Sequence, residues 1–178
     1  APLGVDSPVF EDRHLAWGGL SPRPFIIGTS GLSRLQESVR ECELAALAVD
    51  GQMFHLGGKV SGKPHVLCES NLSDYQLMLR YNGCQFVSGL RRKEGFELPA
   101  AEGLLCGARP ILLDTPDYRW NYKSWGEYIH EGSRQEVVDQ LVQLFRQGGR
   151  PVTQHEREEA AHWFNWERVC GGFWARCL

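Results

Sequence analysis

Two rhythms of apolar residues alternate along this chain. Short apolar runs of four or five residues are separated by stretches in which apolar positions return every three or four residues. The short runs predict strands at 25–29, 52–56, 65–68, 84–87 and 109–113, with a further short strand at 127–130. The helical rhythm predicts a helix over 34–49, capped by Ser33, with Leu35, Val39, Cys42, Leu44 and Leu47 on one face. A second helix, capped by Asn71 or Ser73, carries Leu72, Leu77, Leu79 and Tyr81. A third starts near Ala100 and stops at Cys106-Gly107. A fourth, capped by Ser133, runs through Val137, Leu141 and Phe145 to Gly148-Gly149. The last begins at Pro151-Val152-Thr153 and carries His162, Trp163, Phe164 and Trp166. Residues 115–125 read as a polar and aromatic loop. Strands alternating with helices predict an α/β fold, a Rossmann-like parallel sheet with flanking helices and right-handed crossovers.

The 178 residues are enough for one domain with a full core. An apolar share of 42% and a charged share of 23% are ordinary for a globular protein. A net charge of -3 gives no general pull toward nucleic acid or anionic membrane, so no nucleic-acid partner is indicated. No stretch is long and apolar enough to span a bilayer, and no signal peptide is read. The six cysteines, Cys42, Cys68, Cys84, Cys106, Cys170 and Cys177, form no C-x-x-C pair and have no zinc-finger spacing to histidine. They read as reduced, mostly buried thiols in a cytoplasmic protein, and no metal site is expected.

The candidate chemistry lies in EGFELPAAEGLLCGARP, from Glu94 to Pro110. Glycine-led loop, short helix and buried strand follow one another there. Backbone N–H groups at such a helix start, together with the positive end of its dipole, suit an anion such as phosphate. Glu94 lies just before that start and Glu102 about a turn inside it. Carboxylates so placed read as hydroxyl acceptors, so the ligand carries hydroxyls on both sides of its phosphates. Glycine loops opening helices also occur where nothing binds, and the spacing alone does not separate the two readings.

The same stretch resembles the E-G-F-G-L-P-x-x-E-A-M-x-C-G-x-P-V segment of retaining glycosyltransferases of the GT-B fold, the glycogen-synthase-like group with nucleotide-sugar donors. Glu94, Gly95, Phe96, Leu98, Pro99, Glu102, Cys106, Gly107 and Pro110 fall on the pattern. Glu97 stands where the family has glycine, Gly103 where it has alanine, and Arg91-Arg92-Lys93 is an insertion. APLGVDSPVF at 1–10 is similar to the family's interdomain linker, and HWFNWERV to its terminal signature. The resemblance thus covers nearly the whole chain as one half of such an enzyme, with a linker at 1–10 and a nucleotide-sugar domain at 11–178 that includes the C-terminal helix.

It implies that Glu94 is the catalytic-site carboxylate on the sugar and that Glu102 accepts from the ribose. Gly95, Phe96, Glu97 and Leu98 would form the diphosphate cradle. Gly28, Thr29 and Arg34 fall in the family's phosphate turn, where Thr29 replaces an arginine and Arg34 a lysine. Lys59 could meet a phosphate or stand in solvent. The loop from Glu69 would lie where the family holds the base. Glu97 puts a negative charge in the cradle unless it points away or meets Arg92 or Lys93. Arg91-Arg92-Lys93 reads as a solvated loop or as a replacement for the cation lost at Thr29. Residues after Asp114 lack the family's glycines.

The implied activity is retaining transfer from a nucleoside diphosphate sugar, without metal or other cofactor. An acceptor-binding domain or partner chain would complete the site. The alternatives are a non-catalytic interaction module on the same fold, or a nucleotide-sugar epimerase or phosphorylase.

Overall fold

The computed structural model describes residues 4–5, 10, 26–30, 38–92 and 96–177. Among these residues, six strands form one parallel sheet: β1 (Ile26–Ser30), β2 (Gln52–Leu56), β3 (Val66–Glu69), β4 (Phe86–Gly89), β5 (Arg109–Leu113) and β6 (Glu127–Ile129). Their order is β3-β2-β1-β4-β5-β6. The chain builds leftward from β1, then crosses back and builds rightward from β4. That is the doubly wound arrangement, with its reversal between β1 and β4.

The described residues form seven α-helices: α1 (Val39–Ala48), α2 (Asp74–Gly83), α3 (Leu98–Leu105), α4 (Pro116–Tyr122), α5 (Arg134–Arg146), α6 (Gln154–Trp163) and α7 (Trp166–Cys177). Two consecutive residues of β4 show which helices take which face. The thiol of Cys42, on α1, reaches the Ser88 hydroxyl at 3.6 Å, whereas Gly103, on α3, lies against Val87. Neighbours in a strand point to opposite faces, so α1 and α3 do too. α1 packs on α5, and α3 packs on α2 and α6. The central strands are therefore covered twice, and β4 and β5 are buried along their whole lengths.

Local signals fix the helix starts. Of the two expected caps for α2, Ser73 is the one used, in a capping box with Gln76. Ser133 with Glu136 and Thr153 with Glu156 repeat that box at α5 and α6. Three expectations need correction. Residues 115–125 are not a loop: Thr115 accepts from the Tyr118 N–H and Pro116 opens α4, after which a 3-10 turn covers Lys123–Trp125. Thr-Pro-Asp is a helix-start signal, and Tyr118, Tyr122 and Trp125 supply the buried face. The expected single last helix is two, α6 and α7, parted at Phe164-Asn165, where Val5 bridges Asn165 and its N–H donates to the Phe164 carbonyl at 2.8 Å. Leu47 of α1 is exposed rather than on the packed face. The expected start of α1 at Arg34, with its Ser33 cap, lies outside the described residues.

Candidate functional site

In a doubly wound sheet the crevice opens where the strand order reverses, beyond the C-terminal ends of the strands. Here that point lies above β1 and β4. The chain leaves β4 at Gly89, passes buried Leu90 and half-buried Arg91, and enters α3 at Leu98. Phe96 to Glu102, the described part of the stretch singled out in the sequence, lie at the end of this passage and in the helix it enters.

Gly89 has to be glycine for packing reasons. A Cβ there would lie 2.7 Å from Leu112 Cδ2, 3.1 Å from Ala100 Cβ and 3.3 Å from Glu97 Cβ. The first turn of α3 therefore sits directly on the strand end. Pro99, in that turn, lacks an N–H that would have had no intrahelical partner anyway. Leu98, the first helical residue, is exposed, and its N–H belongs to the donors that a helix start leaves without intrahelical partners.

Glu97 precedes Leu98 and is 4% exposed. Its carboxylate does not cap the helix. It turns inward and pairs with Arg91, Nε to Oε1 at 3.2 Å. The sequence expectation named Arg92 or Lys93 as possible partners. Arg92 instead approaches Glu131 at 3.9 Å, and Lys93 lies outside the described residues. The Glu97 carbonyl accepts from the Tyr122 hydroxyl. Phe96 stacks on Tyr122 with ring centroids 5.8 Å apart and meets Phe164 edge-on at 5.5 Å. Both side chains thus point into the protein, and what the loop can offer a ligand at these positions is its backbone.

Glu102 lies in the second turn of α3, half-buried against α2. Burial and then the Asp74 carboxylate push its carboxyl up to about 7, while the nearby Tyr81 hydroxyl pulls the other way without making a hydrogen bond of regular geometry. Tyr81 was read in the sequence only as an apolar position of this helix, and Asp74 was not singled out. Their only signal there is that they share α2 with an apolar face.

Along the rim, Ser30, Leu56 and Glu69 stand in register at the ends of β1, β2 and β3. Two strand spacings separate β1 from β3, roughly 10 Å. Gly28, on β1, lies between Phe54 and Val87, and a Cβ there would come 3.2 Å from Cys84 Sγ. Thr29 is buried in the sheet, its hydroxyl 2.9 Å from His55 Nδ1. It faces β2 rather than the crevice. Lys59 is exposed beyond β2. The Glu69 carboxylate is gripped by Arg80 through Nε at 2.7 Å and Nη2 at 2.6 Å. The fold therefore brings Gly28, Phe96, Glu97, Leu98 and Glu102 to the reversal point, with Glu69 and Lys59 further along the rim. Glu94, Gly95 and Arg34 lie outside the described residues. Among the described residues, no group of three His, Cys, Asp or Glu is arranged to hold a metal ion, and no helix is long and apolar enough to cross a membrane.

Several solved structures similar to this chain are glycosyltransferases. The chain superposes on sucrose-phosphate synthase from Thermosynechococcus elongatus with a TM-score of 0.74 at 16% identity, covering 99% of this chain and 51% of that one. HepE from Anabaena, solved with UDP and glucose, matches at 0.70 and 12% identity, covering 96% of this chain and 55% of that one. The pneumococcal O-GlcNAc transferase GtfA, solved with UDP and GlcNAc, matches at 0.65 and 13% identity, covering 99% of this chain and 38% of that one. No family model and no curated protein matches the chain. The fold is that of one half of a GT-B glycosyltransferase, as the sequence resemblance implied. The chain spans about half the length of sucrose-phosphate synthase and of HepE.

Proposed function

We propose that this chain is the donor half of a retaining glycosyltransferase that moves a sugar from a nucleoside diphosphate sugar to an acceptor held by another domain or chain. One observation carries the reading. The connection from β4 to α3, whose described end carries Phe96 to Glu102 of the motif, leaves β4 at the point where the strand order reverses, which is where α/β sheets take their ligands. The two fold neighbours solved with UDP and a sugar support the same ligand class.

In this reading the diphosphate meets the backbone N–H groups of Phe96 to Leu98 and the positive end of α3. Those dipoles, with nearby cations, stabilise the charge on the leaving diphosphate without a divalent metal. Glu102 accepts from the ribose, and the loop after Glu69 borders the base. With the Glu69 carboxylate engaged by Arg80, the base is read by the backbone and side chains that follow it. Glu94 accepts from the sugar hydroxyls next to the reacting carbon. The free thiols of Cys42, Cys84 and Cys106, all buried, support a cytoplasmic location.

The test is calorimetry of the chain against a panel of UDP and GDP sugars with and without a chelator. Binding of one base class, unchanged by the chelator, is expected. A panel with no heat at millimolar ligand would instead favour a non-catalytic interaction module on this fold.

A further inference from the structure

We propose that Tyr81 is the positioning residue for Glu102: its hydroxyl donates to the Glu102 carboxylate and holds it in place for the ribose of the donor. This rests on the donor-half reading above.

Tyr81 lies in α2 and is 2% exposed. Its hydroxyl oxygen is buried and makes no hydrogen bond of regular geometry. Leaving a buried hydroxyl unpaired is costly, and native proteins keep few such groups. Phenylalanine would fill the same space without that cost. The ring itself is fixed. A Cβ at Gly28 of β1 would lie 3.8 Å from Tyr81 Cδ1, so the ring rests against one of the two strands at the reversal point. Phe10 packs beside it with ring centroids 6.4 Å apart, and the Tyr81 carbonyl accepts from the Cys84 N–H at 2.9 Å.

α2 packs on α3, and across that contact the hydroxyl faces Glu102. The other titratable groups around the pair are Asp74, which acts on Glu102, and Cys84 and Cys106, which act on Tyr81. Burial and then Asp74 raise the Glu102 carboxyl, and the Tyr81 hydroxyl opposes them. An ionised carboxylate accepts at two oxygens. A hydroxyl that takes one of them from inside the protein leaves the other for the ribose hydroxyls. A ligand that covers Glu102 strips water from it, which favours the neutral acid. The Tyr81 O–H then replaces the lost water and keeps the carboxylate charged.

The test titrates the full chain with UDP and GDP and with their 2′,3′-dideoxy counterparts, which lack the ribose hydroxyls. At pH 8 wild type should prefer the ribose form of the base it takes by roughly tenfold or more. Tyr81→Phe keeps the ring and loses only the hydroxyl. Its preference should shrink by roughly threefold or more, with affinity for the dideoxy form unchanged. Its urea midpoint should equal or exceed that of wild type, because a buried unpaired hydroxyl has been removed. The wild-type preference should rise as pH passes about 7, the value of the Glu102 carboxyl. In Tyr81→Phe that rise should move to higher pH, since the hydroxyl no longer pulls the carboxyl down. The ratio of the two ligands cancels the titration of their phosphates. In a Glu102→Gln background, Tyr81→Phe should change the preference no further.

If wild type binds UDP or GDP and Tyr81→Phe keeps both the preference and its pH profile, this assignment is overturned and the donor-half reading stands. A wild type that binds ribose and dideoxy forms alike overturns it as well. So does a loss that is equally large in the Glu102→Gln background, since the hydroxyl would then not act through Glu102. A wild type that takes up none of the four probes overturns both readings.

Discussion

Arg109, the first residue of β5, and Glu156, in the first turn of α6, form a two-pronged ion pair: Nη1 to Oε1 and Nη2 to Oε2, both 3.0 Å. Arg109 is 1% exposed and also donates to the carbonyls of Trp125, Arg150 and Pro151. The pair fastens the C-terminal helices to the sheet, and with them the Phe164 ring under the candidate loop.

Breaking that pair from one side leaves a buried guanidinium without its carboxylate. Glu156→Ala should cost about 3–5 kcal/mol in urea unfolding at pH 7, whereas replacing both partners with apolar residues should cost far less. Burial alone would raise the Glu156 carboxyl, but hydrogen bonds from Arg109, the Thr153 N–H and Arg150 outweigh it and hold the group at about 2. Its folded value is depressed. The stability it contributes is therefore present above its ordinary value of 4.5 and is lost as pH falls through about 2. Unfolding of Glu156→Gln followed from pH 5 to 2 should lack that increment.

Gly103 stands where the resembling family has alanine, and the structure explains why. A Cβ there would lie 2.5 Å from Val87 Cγ1 and 2.9 Å from Val87 Cβ. Both atoms belong to a β-branched side chain fixed in the core, so neither can swing away. Gly103→Ala should destabilise by about 1–3 kcal/mol despite the better helix propensity of alanine. Val87→Ala combined with Gly103→Ala should recover most of the loss. Thermal unfolding of the three variants makes the comparison.

Glu102 gives the opposite sign to Glu156. Its folded value is raised to about 7 from 4.5, first by burial and then by Asp74. Between those values the folded chain holds a proton that the unfolded chain has released. That stabilisation is complete below 4.5 and disappears as pH rises through 7. At pH 8 Glu102→Gln should be more stable than wild type by about 1–3 kcal/mol, discounted for partial exposure, and at pH 4 the two should be equal. Nucleotide affinity of the wild type should rise over the same interval, because an ionised carboxylate is the stronger acceptor.

Most of the sheet was legible in the sequence because buried parallel strands are continuous apolar runs, as Ile111-Leu112-Leu113 shows. Helix starts were legible where a hydroxyl preceded the periodic stretch, as at Ser73 and Ser133. The stretch 115–125 was misread because its aromatic residues hid a Thr-Pro helix start. The orientation of side chains in the candidate site was not legible at all. Nothing in EGFELP tells that Glu97 turns inward; that follows from Gly89 lying under the first turn of α3 and from Arg91 reaching it from the strand side. Tyr81 beside Glu102 depends in the same way on how α2 packs against α3.

The central claim is that one ligand lies across the opening of α3, with its ribose toward Glu102 and its sugar toward Glu94. The most direct measurement is the affinity of Glu94→Ala and Glu102→Ala for a nucleoside diphosphate and for the matching nucleotide sugar. A hydrogen bond to a charged group contributes about 1.5–3 kcal/mol, so a loss of roughly tenfold or more is expected wherever a contact is removed. Glu102→Ala should weaken both ligands alike. Glu94→Ala should weaken the nucleotide sugar and leave the bare diphosphate nearly unchanged. Full affinity of both variants for both ligands would contradict the account.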